Sequence, residues 1–217
     1  GTDVTFGFHT AVDTATDVID RLHTTAASHS RILMVEIMGN KAGWLTLYSG
    51  IAGGADIIII PEIPYDTDKV VAALSKRSAA GKTFSIVAVA EGAFDVAEAQ
   101  MKKKERAKKR LEEGITTATA RLAAQVQKGT GIETRVCTPG HMLRGGSPSA
   151  YDRILATKFG VRAAELIADG KYGYSVAMIN GAIGENKLKD VAGKTKFVDP
   201  DCSYVRTAKN IGVSFGD

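Results

Sequence analysis

Four short apolar runs are the feature that most constrains the fold. They read RILMVEIM (31–38), DIIIIPEIP (56–64), FSIVAVAEG (84–92) and ETRVCTP (133–139). A run that is apolar at nearly every position is typical of a strand buried on both faces, as strands of parallel sheets are. Segments with helical patterns separate the runs. The sequence therefore predicts an α/β fold in which parallel strands alternate with helices.

The segments between the runs predict the helices. The spacing of apolar residues indicates helices at 10–29, 41–55, 66–82 and 149–170, and YSVAMIN (174–180) indicates a further strand. A single long charged helix is predicted to begin in MKKKERAKKRLEEG (101–114). It continues along a thin apolar stripe of Leu111, Ile115, Leu122 and Val126.

The carboxyl ends of the strands indicate a candidate ligand site. In open parallel α/β sheets, ligands bind beyond these ends. The residues there combine carboxylates, a histidine, an arginine and small groups: Met38, Gly39, Asn40, Glu62, Glu91, His141 and Arg144. One edge of the sheet is therefore expected to carry this mixed set.

The stretch TPGHMLRGGSPSAYDR (138–153) indicates an anion, most commonly phosphate. Gly145 and Gly146 allow close backbone approach, and Arg144 supplies a planar donor fork. Ser147 and Pro148 are typical of an N-cap and a first helical residue, and helix N-termini bind anions. The alternative interpretation is a plain loop before a capped helix.

Charge and cysteine content limit the kinds of binding partner and the cellular compartment that are expected. A net charge of +4 on 217 residues is mildly basic, which suits acidic metabolites and does not require nucleic acid. Cys137 and Cys202 are too few for a disulfide framework, which favours a reducing cytoplasm. No signal peptide and no apolar run of about 18 residues is present, so a membrane-spanning helix is not expected.

The charged stretch leaves two interpretations open. Opposite charges at i,i+4, such as Glu105 and Lys109, favour a solvated helix face. A basic nucleic-acid-binding helix is the weaker hypothesis because no aromatic residues are interleaved with the cations. The role of the charged insert 96–128 stays open.

Several stretches together resemble the 6-phosphofructokinase family. They are GTDVTFGFHTA, MVEIMGNKAGWLTL, IAGGAD followed by PEIPYD, VAVAEG, and ETRVCTPGHMLRGGSPSAYDR, in that family's order and spacing up to about residue 186. The resemblance implies a three-layer αβα fold with largely parallel sheets and two Rossmann-like domains. Residues 1–140 would form the sugar-phosphate domain, and 141–217 the returning part of an incomplete donor domain.

The resemblance also implies an activity. A phosphoryl group would pass from ATP or pyrophosphate, with Mg²⁺, to the 1-hydroxyl of fructose 6-phosphate, giving fructose 1,6-bisphosphate in glycolysis. The long insert between Glu91 and Arg135 resembles branches with pyrophosphate-using and mixed-donor members, so the donor is left open.

The resemblance assigns roles to seven residues. His141 and Arg144 would hold the 6-phosphate, while Arg31 and Arg135 would reach it from a neighbouring subunit. Glu91 would accept hydrogen bonds from the sugar hydroxyls. Met38 and Gly39 would line the same pocket. A site shared in this way implies a homo-oligomer, either a dimer or a tetramer.

Two departures from the family pattern concern catalysis. Asn40 stands where the family usually has arginine near the transferring phosphoryl group, so either Lys41 or another cation substitutes, or the donor is handled differently. The family's donor loops, catalytic base and metal-binding carboxylate lie before the position of Gly1. The chain alone is therefore expected to be inactive and to supply no metal ligand. The alternative is a non-catalytic sugar-phosphate-binding or regulatory subunit.

A third departure concerns regulation. The resemblance implies an effector phosphate site at a subunit interface, to which His23, Asp56 and Lys82 correspond. Histidine is mostly neutral at pH 7, and one further cation of the basic stretch before FSIVAVAEG is missing. The sequence therefore predicts a degraded effector site.

Overall fold

The computed structural model describes residues 1–28 and 30–217, without the side chain of Lys103. The chain forms two compact units. The smaller unit contains Gly1–Asp13 and Arg144–Lys196, and the larger contains Thr14–Leu143 and Phe197–Asp217. The functional division into domains 1–140 and 141–217 stays a prediction.

The larger unit is built on a four-stranded sheet in the order β2-β3-β1-β4. Its strands are β1 (Ile32–Ile37), β2 (Ile57–Ile59), β3 (Ser85–Ala90) and β4 (Thr134–Cys137). All neighbouring pairs are parallel, with Ile37 opposite Ala90 and Ile59 opposite Val89. The predicted parallel α/β fold is confirmed, and all four predicted runs contain strands.

Within residues 1–28 and 30–217, eight α-helices accompany the strands. They are α1 (Phe8–Ala27), α2 (Trp44–Ala52), α3 (Thr67–Ala79), α4 (Lys103–Glu112), α5 (Ala118–Thr130), α6 (Ala150–Ala168), α7 (Leu188–Val191) and α8 (Ser203–Asn210). The first predicted helix ends at Ala27, and His29, the last residue of that predicted segment, lies outside the described residues. No helix in the described ranges is long and apolar enough to cross a bilayer.

Every residue of β1 and β3 is buried, and alternate side chains enter two different cores. Leu33, Val35 and Ile37 pack with α1 and α2. Ile32 and Met34 pack on the other face with α3 and α5. Full burial of one such side chain contributes about 1.5–3 kcal/mol, so both faces need a helical layer.

The predicted single charged helix is wrong. The helix α4 ends at Glu112, Gly114 adopts the left-handed conformation at φ +71°, and α5 begins at Ala118. Thr117 caps the second helix, because its Oγ1 accepts a hydrogen bond from the Ala120 N–H at 3.1 Å. A left-handed glycine followed by a capping threonine ends one helix and starts another.

The predicted start of α6 is also wrong. The N-cap is Ser149 instead of Ser147, and its Oγ accepts a hydrogen bond from the Asp152 N–H at 3.3 Å. Gly146 has φ +88°, so one of the two glycines takes the backbone conformation that favours glycine. The helix ends before Gly170, as predicted, where φ is +66°.

The expectation of largely parallel sheets does not extend to the smaller unit. There β5 (Tyr174–Ile179) and β6 (Ala182–Lys187) form an antiparallel hairpin. Asn180 and Gly181 connect the strands at φ +51° and +77°. Two central residues at positive φ suit the right-handed twist of a two-residue hairpin, and Asn-Gly favours it.

Asp152 joins the start of α6 to the start of α1 within the smaller unit. Its carboxylate accepts hydrogen bonds from the Gly7 N–H at 2.9 Å, the Thr10 N–H at 2.8 Å and the Thr10 hydroxyl at 2.5 Å. Burial alone would raise the pKa of Asp152. The hydrogen bonds from Thr10 and Gly7 outweigh it and hold the pKa below its ordinary value.

Asp152→Asn should lower the free energy of unfolding by about 1–3 kcal/mol at pH 7, because an amide nitrogen would face N–H donors. The lowered pKa means that this stabilisation is present above the unfolded carboxyl pKa, about 4, and is lost as the pH falls through the folded value. Urea unfolding of both proteins at several pH values measures it.

The matched control is Asp13→Asn, since Asp13 is exposed on α1. It should change the free energy of unfolding by less than about 0.5 kcal/mol. Equal destabilisation by the two substitutions would contradict the role assigned to Asp152.

Candidate functional site

The Glu91 carboxylate ties the end of β3 to the loop that follows β1. Its Oε1 accepts hydrogen bonds from the Gly39 N–H at 3.0 Å and the Asn40 N–H at 2.6 Å. The Glu91 N–H donates to the Ile37 carbonyl at 2.9 Å. Parallel pairing of β1 with β3 places these groups at the same edge, so the predicted residues Gly39, Asn40 and Glu91 are in contact.

The backbone leaves almost no space in this loop. Asn40 adopts φ +54°, a conformation that asparagine tolerates better than most residues. A Cβ atom on Gly92 would lie 1.9 Å from the Asn40 carbonyl oxygen, and one on Gly39 would lie 2.6 Å from the Ala42 carbonyl oxygen. Two glycines therefore permit the close approach of the loops after β1 and β3.

Glu62 has a similar role beyond β2. Its Oε1 accepts hydrogen bonds from the Gly43 N–H and the Val198 N–H, each at 2.9 Å. The sequence indicates Glu62 only as a carboxylate at a strand end. It does not indicate these hydrogen bonds, because both donors come from other segments of the chain. It fixes the start of α2 and the returning C-terminal segment.

A cavity of about 600 Å³ opens at this edge of the sheet. Its lining includes Asn40, Lys41, Glu62, Glu91, Phe94 and Arg106. Met38 precedes the loop and is half-buried. The cavity thus joins both predicted donor-side candidates, Asn40 and Lys41, to Glu91.

Arg31 and Arg135 share one carboxylate at the opposite edge of the sheet. The Arg31 Nε lies 2.7 Å from the Glu133 Oε2, and the Arg135 Nε lies 2.8 Å from the Glu133 Oε1. Hydrogen bonds from Arg31, and next from Arg135, hold the pKa of Glu133 below its usual value. The sequence singled out both arginines but did not indicate that Glu133 would hold them together.

The predicted substrate-binding residues therefore fall at two ends of the same sheet. Arg31 precedes β1 and Met38 follows it, about 20 Å apart at roughly 3.3 Å per strand residue. This distance exceeds the reach of an arginine side chain. Within one chain, the cations of the amino edge do not approach the loop at the carboxyl edge.

His141 and Arg144 lie on the short 3₁₀ segment Gly140–Arg144 that follows β4. Both side chains are exposed, whereas Leu143 between them is buried in the core of the larger unit. The buried leucine anchors the segment and leaves His141 accessible. Arg144 is the first residue of the smaller unit after the crossing from the larger one.

The residues of the predicted degraded effector site are mostly engaged within the chain. The His23 Nε2 donates to the Gly53 carbonyl at 2.7 Å. Asp56 accepts a hydrogen bond from the Ile86 N–H at 2.9 Å and pairs with Arg77 at 2.7 Å. Lys82 is exposed and lines a cavity of about 290 Å³. Arg77 was missed from sequence because its partner lies on another element.

The interpretation of the charged insert as a solvated helix face is only partly right. Arg110 binds Glu98 through Nε at 2.9 Å and Nη2 at 2.6 Å, and Glu98 is completely buried. Arg121 of α5 pairs with Asp95 and lies 3.1 Å from Glu113. These arginines hold the insert against the rest of the larger unit. Their partners are distant in sequence, so the helical charge pattern does not indicate these ion pairs.

No group of three or more His, Cys, Asp or Glu side chains within residues 1–28 and 30–217 is arranged to hold a metal ion. The Glu62 and Glu91 carboxylates already accept backbone N–H groups.

A parallel α/β sheet with a charged cavity at its carboxyl edge defines a class of ligand-binding α/β proteins. Within that class, the chain belongs to the phosphofructokinase family, because the phosphofructokinase family model matches residues 1–167. The proposed resemblance is thereby confirmed.

Named relatives support the same assignment. The chain is 54% identical over 217 residues to an ATP-dependent 6-phosphofructokinase of Spirochaeta thermophila, covering all of this chain and 59% of the relative. It is 43% identical to a pyrophosphate–fructose 6-phosphate 1-phosphotransferase of Streptomyces coelicolor, covering 99% of this chain and 61% of the relative. The chain thus spans about three fifths of these relatives.

A solved structure shows the same fold. Phosphofructokinase from Saccharomyces cerevisiae superposes with a TM-score of 0.73 at 31% identity, covering 88% of this chain and 24% of that chain. A pyrophosphate-dependent phosphofructokinase from Marinobacter aquaeolei, at 22% identity and a TM-score of 0.69, is similar in fold.

Gly92→Ala should destabilise the larger unit by about 1–3 kcal/mol, because the new methyl group would meet the Asn40 carbonyl and force the loop to move. Urea unfolding measures the change. Gly160→Ala on α6 is the control, since a Cβ atom there meets open space. It should be neutral or stabilising by up to about 1 kcal/mol. A Gly92→Ala variant with the same free energy of unfolding as the wild type would contradict the close contact between the two loops.

Proposed function

We propose that this chain forms the sugar-phosphate-binding part of a 6-phosphofructokinase. The protein would transfer a phosphoryl group to the 1-hydroxyl of fructose 6-phosphate. The observation that carries the proposal is the 54% identity, along the whole chain, to a relative named for that activity. A non-catalytic regulatory subunit is not favoured, because the named relatives are enzymes.

We propose ATP as the phosphoryl donor. The relative at 54% identity is named as ATP-dependent, and the pyrophosphate-named relative is 43% identical. Pyrophosphate is the second donor to test. Mg²⁺ is expected for phosphoryl transfer, where it binds the phosphate oxygens together with one or two carboxylates.

Glu91 has a double role in this proposal. Its Oε1 holds the loop through the Gly39 and Asn40 N–H groups. Its Oε2 is the oxygen available to accept hydrogen bonds from sugar hydroxyls, because within the described residues no donor contacts it. The carboxylate thus positions the pocket wall and binds the sugar.

The 6-phosphate site is proposed to be shared between two subunits. Arg31 and Arg135 are held together by Glu133, and along the sheet Arg31 lies about 20 Å from the loop at Met38 while Arg135, opposite Leu33, lies about 16 Å from that level. This separation supports a partner subunit as the source of the arginines that join His141 and Arg144. A homo-oligomer follows, and the free half-buried thiols of Cys137 and Cys202 agree with a cytoplasmic protein.

The proposal is tested on the complete gene product with fructose 6-phosphate and either ATP or pyrophosphate in the presence of Mg²⁺. Formation of fructose 1,6-bisphosphate, dependent on both substrates, is the expected result. A purified, folded protein that binds fructose 6-phosphate without forming product would overturn the assignment as an enzyme.

Arg144→Ala should raise the KM for fructose 6-phosphate about 10- to 150-fold, because a charge-assisted hydrogen bond contributes roughly 1.5–3 kcal/mol. Steady-state kinetics of the complete gene product measure it. The control is Arg206→Ala, which removes an exposed arginine of α8. An unchanged KM in the Arg144 variant would remove that residue from the site.

ADP and phosphoenolpyruvate should leave the fructose 6-phosphate saturation curve unchanged at pH 7.5. His23 is already engaged with the Gly53 carbonyl and Asp56 with Arg77, so of the three predicted effector-site residues Lys82 alone is an exposed cation. Two lost charge-assisted contacts weaken phosphate binding about a hundredfold. A sigmoidal-to-hyperbolic shift with either effector at millimolar concentration would show that other residues form the site.

A further inference from the structure

The charged insert is attached to the sheet by a buried ion network. Glu98 is completely buried and binds Arg110, while Arg121 of α5 pairs with Asp95 and lies 3.6 Å from Glu98. The Arg110 Nη2 also donates to the Ala93 carbonyl at 3.0 Å. Because a buried carboxylate requires its partners, this network fixes α4 beside the loop after β3.

The fixed helix forms one wall of the carboxyl-edge cavity. Arg106 and Arg110 of α4 line it together with Asn40, Lys41 and Glu91. The insert therefore brings its own side chains into the cavity that contains the predicted site residues.

Most charged groups of this cavity are already engaged. Glu62 and Glu91 accept backbone N–H groups, and Arg110 is neutralised by Glu98. Among the described side chains, no carboxylate lies within 4.0 Å of the Lys41 or Arg106 nitrogens. Lys41 and Arg106 are thus the cations of the lining that have no carboxylate partner among the described side chains, and they favour an anion.

Arg106 is held in a defined position. Its guanidinium carbon lies 4.1 Å from the centroid of the Phe94 ring, and its Nη1 donates to the Glu98 carbonyl at 3.3 Å. Stacking on an aromatic face leaves the edge of the guanidinium plane available for donation to phosphate oxygens. The side chain is half-buried, which limits screening by solvent.

We propose that Arg106, assisted by Lys41, binds the phosphate group that the donor transfers. This proposal rests on the proposed function and deepens it. A cation from the insert helix thereby lines the same cavity as Asn40, a position that has no charge of its own. The guanidinium fork suits phosphate oxygens, whereas neutral sugar hydroxyls would gain little from it.

The first experiment measures steady-state kinetics of the complete gene product with ATP and pyrophosphate. Arg106→Gln should lower kcat/KM for the donor that is used about 10- to 100-fold. Arg106→Lys should recover part of the loss, because it keeps the charge without the fork. Phe94→Leu, which removes the stacking surface but not the charge, should cause a smaller loss. Lys104→Gln, on the exposed part of α4, is the control and should match the wild type.

A second experiment separates this inference from the proposed function. Titration calorimetry measures binding of inorganic pyrophosphate to the wild type and to Arg106→Gln, and urea unfolding verifies equal stability. At least tenfold weaker binding by the variant supports the inference even if no phosphoryl transfer is detected. Equal affinities, or no binding by the wild type, would overturn it. An active wild type with an equally active Arg106→Gln variant would overturn it while leaving the proposed function intact.

Discussion

Burial of β1 and β3 on both faces is the constraint on which the rest of this structure depends. Leu33 and Val35 enter one core, while Ile32 and Met34 enter the other, so helices must cover both sides of the sheet. Helical crossovers make neighbouring strands parallel, and parallel strands end at one edge. Because β1 and β3 end at the same edge, Glu91 can accept hydrogen bonds from the loop after β1.

Carboxylates act as structural ties throughout the larger unit. Glu62 and Glu91 accept backbone N–H groups from other segments, Glu98 holds the insert through Arg110, and Glu133 holds two arginines at the amino edge. Glu62 and Glu91 line the cavity together with Lys41, Arg106 and Arg110, so carboxylates and cations share its wall.

The two edges of the sheet have different relations to the proposed ligand. The carboxyl edge carries the loop and the cavity, whereas Arg31 precedes β1 about 20 Å away and Arg135, within β4 opposite Leu33, is about 16 Å away. A rigid sheet cannot bring these groups together within one chain. If both sets bind one sugar phosphate, the strand length itself makes assembly of subunits part of the binding site.

The sequence by itself determined the elements whose signals are local. Apolar runs predicted the parallel strands, and the strand-end residues Gly39, Asn40 and Glu91 were predicted to share an edge, because register follows from strand direction. Only the tertiary structure decided that Glu98 binds Arg110, since their pairing depends on how the insert folds back. It also decided that Ser149 caps α6, because Thr10 and Gly7 bind Asp152 from far along the chain. Periodicity depends on neighbouring residues, whereas buried ion pairs, and the choice between two nearby capping serines, depend on packing between distant segments.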